Sequence, residues 1–140
     1  MVELIKILYL EDQEEMIAGM EPYYDDSEFQ IQFSSYENFD QLKNLIIEFC
    51  PQAIISDDDI GGKTYAKEIF DAVDAARRAK KKKIVLVGCS AFVNAKGMEP
   101  DYKRIGFDRF FDNDGSWKDL EAISKYIRKA INLQPWQKLD

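Results

Sequence analysis

Short apolar runs that stop dead in acidic or hydroxyl residues, with helical stripes between them, restrict this chain more than any other feature. Ile5-Lys6-Ile7-Leu8-Tyr9-Leu10 ends at Glu11-Asp12, Ala53-Ile54-Ile55-Ser56 at Asp57-Asp58-Asp59, and Ile84-Val85-Leu86-Val87 closes in Gly88-Cys89-Ser90-Ala91. A run from Phe107 to Phe111 ends at Asp112-Asn113-Asp114. Continuous apolar runs of this length suit strands buried on both faces, which is the habit of a parallel sheet. Phe29-Gln30-Ile31-Gln32-Phe33 alternates with period two and reads as a strand wet on one face.

The intervening segments carry the 3.6-residue period. Residues 13–24 are weakly helical, with Met16, Ile17 and Met20 in line and Pro22 interrupting the end. Residues 37–49 place Phe39, Leu42, Leu45, Ile46 and Phe49 on one stripe before Pro51. Residues 64–79 do the same with Ala66, Ile69, Phe70, Val73 and Ala76, with Ala79 at the margin, and residues 116–132 with Trp117, Leu120, Ile123, Ile127, Ala130 and Ile131, capped by Asp114 or Ser116. Gly97 and Pro100 argue against a full helix over 92–105, leaving a short one from about Pro100. Strands alternating with helices, joined by right-handed crossovers, give an α/β doubly wound sheet with both faces covered.

Composition narrows the chemistry. The chain has 140 residues, a size that suits one domain over 1–140 with an ordered core of about 4–133. Its 19 basic and 26 acidic residues leave a net charge of −7, which argues against wholesale binding to nucleic acid or an anionic membrane. No run reaches the ~18 apolar residues of a membrane span, and no export signal opens the chain, so a cytoplasmic location is expected. Two cysteines, Cys50 and Cys89, read as buried thiols. There is no histidine, which removes Ser-His-Asp and Cys-His mechanisms and His-ligated metals.

In a sheet of this kind a ligand sits beyond the carboxyl ends of the strands. Glu11, Asp12, Asp57, Asp58, Asp59, Ser90, Asp112, Asn113 and Asp114 all follow strands. Converging carboxylates repel and must take up protons or a cation, and an oxygen-only donor set fits Mg²⁺.

Four segments resemble the receiver domain of two-component response regulators: Ile7-Leu8-Tyr9-Leu10-Glu11-Asp12, the stretch Pro51 to Asp57, Ile84 to Ala91, and Gly106-Phe107-Asp108-Arg109-Phe110-Phe111. The likeness runs from residue 5 to about 132. It implies a flavodoxin-like (βα)5 sheet of strand order 2-1-3-4-5. It also implies that Asp57 accepts a phosphoryl group, with Asp58 the alternative in register. Asp12 and Asp57 would ligate Mg²⁺, with Glu11 acting through water and the Asp59 backbone carbonyl completing the protein's share. Ser90 would hydrogen-bond a phosphoryl oxygen, and Phe110 would be the aromatic that turns inward when Ser90 moves. Such a domain phosphorylates and dephosphorylates itself but is no turnover enzyme. Its partners would be a histidine kinase or phosphotransfer protein and an output protein reached by protein–protein contact, with a homodimer left open and an excised domain of a longer protein as the other option.

The chain departs from that family at Asn113, where a lysine is usual. An amide can donate a hydrogen bond but brings no charge. Gly61-Gly62 stands where a proline is common, the fourth helix looks shortened, and Asp59 adds a carboxylate that would shorten the life of a phosphoryl group or weaken phosphorylation. Two other readings stay open: a pseudo-receiver that works by its surface without phosphorylation, supported by Asn113, and a small Mg²⁺-dependent phosphatase with Asp57 as nucleophile. Gly61-Gly62-Lys63-Thr64 matches only the tail of a phosphate-binding loop, since position 57 is Asp rather than Gly. Lys80 to Lys83 reads as a solvated turn, with a docking patch for an acidic partner as the minority view.

Overall fold

The computed structural model describes residues 4–24, 28–57, 62–91 and 95–133. The strands are β1 (Ile5–Leu10), β2 (Phe29–Ser34), β3 (Ala53–Asp57), β4 (Val85–Ser90) and β5 (Arg109–Asp112), and the helices are α1 (Glu14–Tyr24), α2 (Phe39–Phe49), α3 (Gly62–Lys80), α4 (Ala95–Ile105) and α5 (Trp117–Leu133). All pairings are parallel, in the order β2-β1-β3-β4-β5. This is the doubly wound sheet that the sequence pattern predicts, in the flavodoxin-like strand order that the family resemblance implies.

The period of two along each strand divides the core into two layers. Leu8, Leu10, Ile54, Leu86 and Phe110 pack with Leu42 and Ile46 of α2, the small stripe Ala66–Ile69–Val73–Ala76 of α3 and Tyr102 of α4. Ile7, Tyr9, Ala53, Ile55, Val87 and Cys89 face the other way, onto Met20 and Tyr24 of α1 and Leu120, Ile123 and Ile127 of α5. The central strands β1 and β3 are therefore apolar on both faces, and that is why their sequences do not alternate. Edge strand β2 is buried only at Phe29, with Gln30 exposed and the rest half-buried.

Helix ends follow local chemistry. The Asn38 side chain accepts from Gln41 N and caps α2, and Cys50 closes it in the left-handed region at φ 54, its N–H reaching the Ile46 carbonyl. Ser116, rather than Asp114, caps α5: its hydroxyl accepts from Asp119 N at 3.3 Å and its carbonyl from Leu120 N at 3.0 Å. Asp114 instead accepts from Ser116 N at 2.8 Å.

Four details correct the sequence reading. Helix α4 is not shortened: it starts at Ala95 and carries both Gly97 and Pro100. Proline costs one backbone bond, to the carbonyl of residue 96, while Tyr102, Met98 and Ile105 hold the helix to the core. Pro22 likewise lies within α1, which runs on to Tyr24. Strand β5 begins at Arg109, because Phe107 N still bonds the Tyr102 carbonyl in the turn after α4. Trp117 is 62% exposed and lies off the buried stripe of α5, edge-on to Tyr23.

The glycines of this region give a stability test of opposite signs. Gly106 has φ +130, and a Cβ there would stand 2.3 Å from Phe70 Cε1. Gly106→Ala should cost about 2–3 kcal/mol in urea unfolding. Gly97, helical with nothing within 4 Å of an added Cβ, should gain up to about 1 kcal/mol as Gly97→Ala.

Candidate functional site

Parallel register brings the ends of four strands level. Leu10 pairs with Ser56, so Glu11 stands one step on, beside Asp57. Asp57 pairs with Cys89, and Ser90 pairs with Asp112. The Asn113 N–H bonds the Ser90 carbonyl at 2.9 Å, which ties the segment after β5 to the end of β4. Glu11, Asp57, Ser90 and Asn113 are thus gathered at one edge, and all four are buried, between 1% and 3% exposed. Asp12 shares the edge but is exposed. Asp58 and Asp59 lie outside the described residues.

A buried carboxylate is costly unless hydrogen bonds or a cation offset its charge. Glu11 Oε1 accepts from Asp12 N at 3.1 Å and Gln13 N at 3.0 Å, the turn between β1 and α1 folding back onto it. Its other oxygen, Oε2, is buried with no hydrogen-bond partner among the described residues. An orphan carboxylate oxygen next to Asp57 is what a hard cation satisfies. Among the described residues no three acidic or cysteine side chains form a cluster that could hold a metal alone. Mg²⁺ is the cation that suits so sparse a set, since it takes one or two carboxylates and keeps several waters. The donors present therefore fit it.

Beneath these carboxylates lies a neutral polar cluster that sequence reading missed. The Tyr9 hydroxyl is 3.6 Å from Cys89 Sγ, and Asn113 Nδ2 donates to the Tyr9 hydroxyl and reaches Cys89 Sγ at 3.6 Å. Asn113 Oδ1 accepts from Gly115 N at 3.0 Å. The Asn113 amide therefore points inward, with both ends engaged. Burial pushes the Tyr9 phenol and the Cys89 thiol well above their ordinary values, and the nearby charge of Asp57 acts in the same direction on both. The signal was present in the sequence: Tyr9, two residues before Glu11, shares a strand face with it, but a tyrosine in an apolar run reads as core.

Phe110 is 1% exposed, its ring 4.5 Å from that of Tyr102. A Cβ on Gly88 would lie 2.8 Å from Phe110 Cδ2, so the glycine makes room for the inward ring. Lys96 of α4 and Lys118 of α5 are exposed. Both cysteines are free, Cys89 buried and Cys50 half-buried.

No family model matches the chain, and no curated protein matches it. Solved structures do. A response regulator from Desulfuromonas acetoxidans is 18% identical with TM-score 0.69, covering 90% of this chain and 98% of that one. The response regulator domain of Thermotoga maritima CheB is 15% identical with TM-score 0.64, covering 93% and 98%. The chemotaxis response regulator CheY4 of Vibrio cholerae is 11% identical with TM-score 0.68, covering 89% and 99%.

The raised Cys89 value has a consequence for stability. A thiol held protonated by the fold stabilises it fully below the unfolded value of about 8.5, and that contribution is lost as pH rises toward the folded value. Urea midpoints should fall above about pH 8.5, and Cys89→Val should flatten that decline until tyrosines ionise near about pH 10. The fold these comparisons establish is that of response-regulator receiver domains.

Proposed function

We propose that this chain is a receiver module that takes a phosphoryl group on Asp57 with Mg²⁺ and passes the change on through protein–protein contacts. The observation that carries the reading is the buried pair at the sheet edge, Glu11 with an unpartnered Oε2 and Asp57 one register step away. Phosphoryl transfer asks a protein for positioning and charge neutralisation and for little covalent help. Mg²⁺ would supply that neutralisation, with Asp12 and Asp57 as its carboxylate ligands, Glu11 acting through water and the Asp59 carbonyl as the expected fourth donor. In this reading Asp57, at the end of β3, would be the acceptor, and Ser90, one residue beyond its strand partner Cys89, would offer its hydroxyl to a phosphoryl oxygen. The donor would be a histidine kinase or phosphotransfer protein. Self-phosphorylation and hydrolysis are the only chemistry this reading requires.

Signalling then rests on Ser90 and Phe110 without a lysine. Phe110 stands in its inward position beside Gly88 and Tyr102, the packed end of the expected rearrangement. Asn113 favours a second reading, a pseudo-receiver whose surface works without phosphorylation. Its amide is committed to Tyr9, Cys89 and Gly115, so it offers Asp57 no cationic partner.

Intact-mass measurement after incubation with acetyl phosphate separates the two. A Mg²⁺-dependent gain of one phosphoryl group, absent in Asp57→Asn, is the expected result. No gain in a folded chain makes the pseudo-receiver the better reading.

A further inference from the structure

At the opposite end of the sheet from Asp57, the first residues of β4 and β5 and the last turns of α3 and α5 enclose a cleft of about 480 Å³. Its volume falls in the range of small-molecule sites, roughly 300–1,000 Å³. Four cations line it, Arg77, Lys83, Arg109 and Lys129, against one carboxylate, Asp108. In a chain of net charge −7 such a concentration runs against the overall balance. Lys80, Lys81 and Lys82 precede Lys83 directly and extend the same field.

Half of this charge has structural work and half does not. Arg77 donates to the Ile84 carbonyl, closing the turn between α3 and β4. Arg109 pairs with Glu99 at 3.3 Å, and its guanidinium lies 5.0 Å from the Phe111 ring centroid and 5.1 Å from that of Tyr126. Stacked and paired, it is held in one place. Asp108 accepts from Leu86 N at 2.8 Å, so its carboxylate is occupied by the backbone. Lys83 and Lys129 have no ion pair or hydrogen bond among the described residues, although both line the cleft. Helix C-termini favour nearby cations, but Lys83 stands outside any helix.

The remaining lining explains what kind of anion suits the cleft. Val85, Ala130 and Ile131 give it an apolar wall, and the Tyr126 ring, backed by the fixed Arg109, a flat aromatic one. Inorganic phosphate alone would leave those surfaces wet. We propose that this cleft binds a small molecule joining a phosphate head to a flat or apolar body, the chemistry of a nucleoside monophosphate. Lys83 and Lys129 take the phosphate, and the Tyr126 side and the apolar wall take the body. The site is separate from the Asp57 edge, and its existence does not depend on phosphorylation there.

The test is a titration of the full chain, isotope-labelled, followed by amide NMR shifts, with AMP, phenyl phosphate, adenosine and inorganic phosphate as probes. AMP and phenyl phosphate should saturate with Kd of about 1 mM or tighter and move the amides of Val85, Arg109 and Lys129 while those of Glu11 and Asp57 stay in place. Adenosine and inorganic phosphate should each bind about tenfold or more weaker. The double variant Lys83→Gln, Lys129→Gln changes one half-buried and one exposed side chain, keeps both polar and should keep the fold, with AMP affinity lowered about tenfold or more. The proposal is overturned if neither phosphorylated probe saturates by about 10 mM, if the shifts centre on the Asp57 edge, or if the double variant binds AMP within about twofold of the parent.

Discussion

Two carboxylates, Glu11 and Asp57, are removed from water at one edge of a parallel sheet, and much of the local structure answers to that burial. The turn from β1 into α1 spends two backbone N–H groups on one oxygen of Glu11 and leaves the other oxygen empty-handed. A buried carboxylate oxygen without a partner is far costlier than an unpaired neutral group, so the edge is poised for a cation. The strands fix the geometry: Leu10 opposite Ser56 and Asp57 opposite Cys89 leave the carboxylates no freedom to move apart without breaking the ladder.

The groups beneath the carboxylates are chosen so as not to add to the problem. A lysine at position 113 would bring a positive charge that offsets the carboxylates; Asn113 adds no charge of either sign, only a dipole that Tyr9, Cys89 and Gly115 engage. Tyr9 and Cys89 both sit beside the acidic pair, and burial together with Asp57 keeps each in its neutral form. The result is a neutral hydrogen-bonded floor under a charged rim. Position 113 does not stand alone, because the Tyr9 hydroxyl accepts from its amide. Tyr9, Cys89 and Asn113 form one packed unit, and a substitution at any of them is felt by the other two.

The frame of the molecule was legible because its signals are redundant. Four apolar runs stopping at one kind of residue define both the strands and the edge where Glu11, Asp57, Ser90 and Asn113 meet. The α4 region failed because Gly97 and Pro100 were weighed as local breakers, whereas Tyr102, Met98 and Ile105 supply tertiary packing that outweighs one lost backbone bond. Trp117 is placed on a buried stripe by its spacing from Leu120 and Ile123, yet it is the first residue of α5 and is 62% exposed. The Tyr9–Cys89–Asn113 cluster was hidden for a different reason. Its members are far apart in sequence, and two of them belong to residue types that a strand buries routinely.

Charge is also sorted along the strand direction. In a parallel sheet the return helices run against the strands, so their N-termini lie at the carboxyl edge with the acidic residues and their C-termini at the opposite end. Glu14 and Glu15 occupy the first turn of α1, and Arg77, Arg78 and Lys80 the last turn of α3, each sign meeting the favourable pole of its helix. The helix poles therefore draw acids to one end of the molecule and bases to the other. They account for Arg77, which also holds the turn into β4. They do not account for Lys83, which lies beyond α3 and before β4, nor for a cleft beside it with apolar walls. Charges that only tune a helix end can lie anywhere on its surface; charges left unpaired around a concave, partly apolar space carry the stronger implication of a ligand.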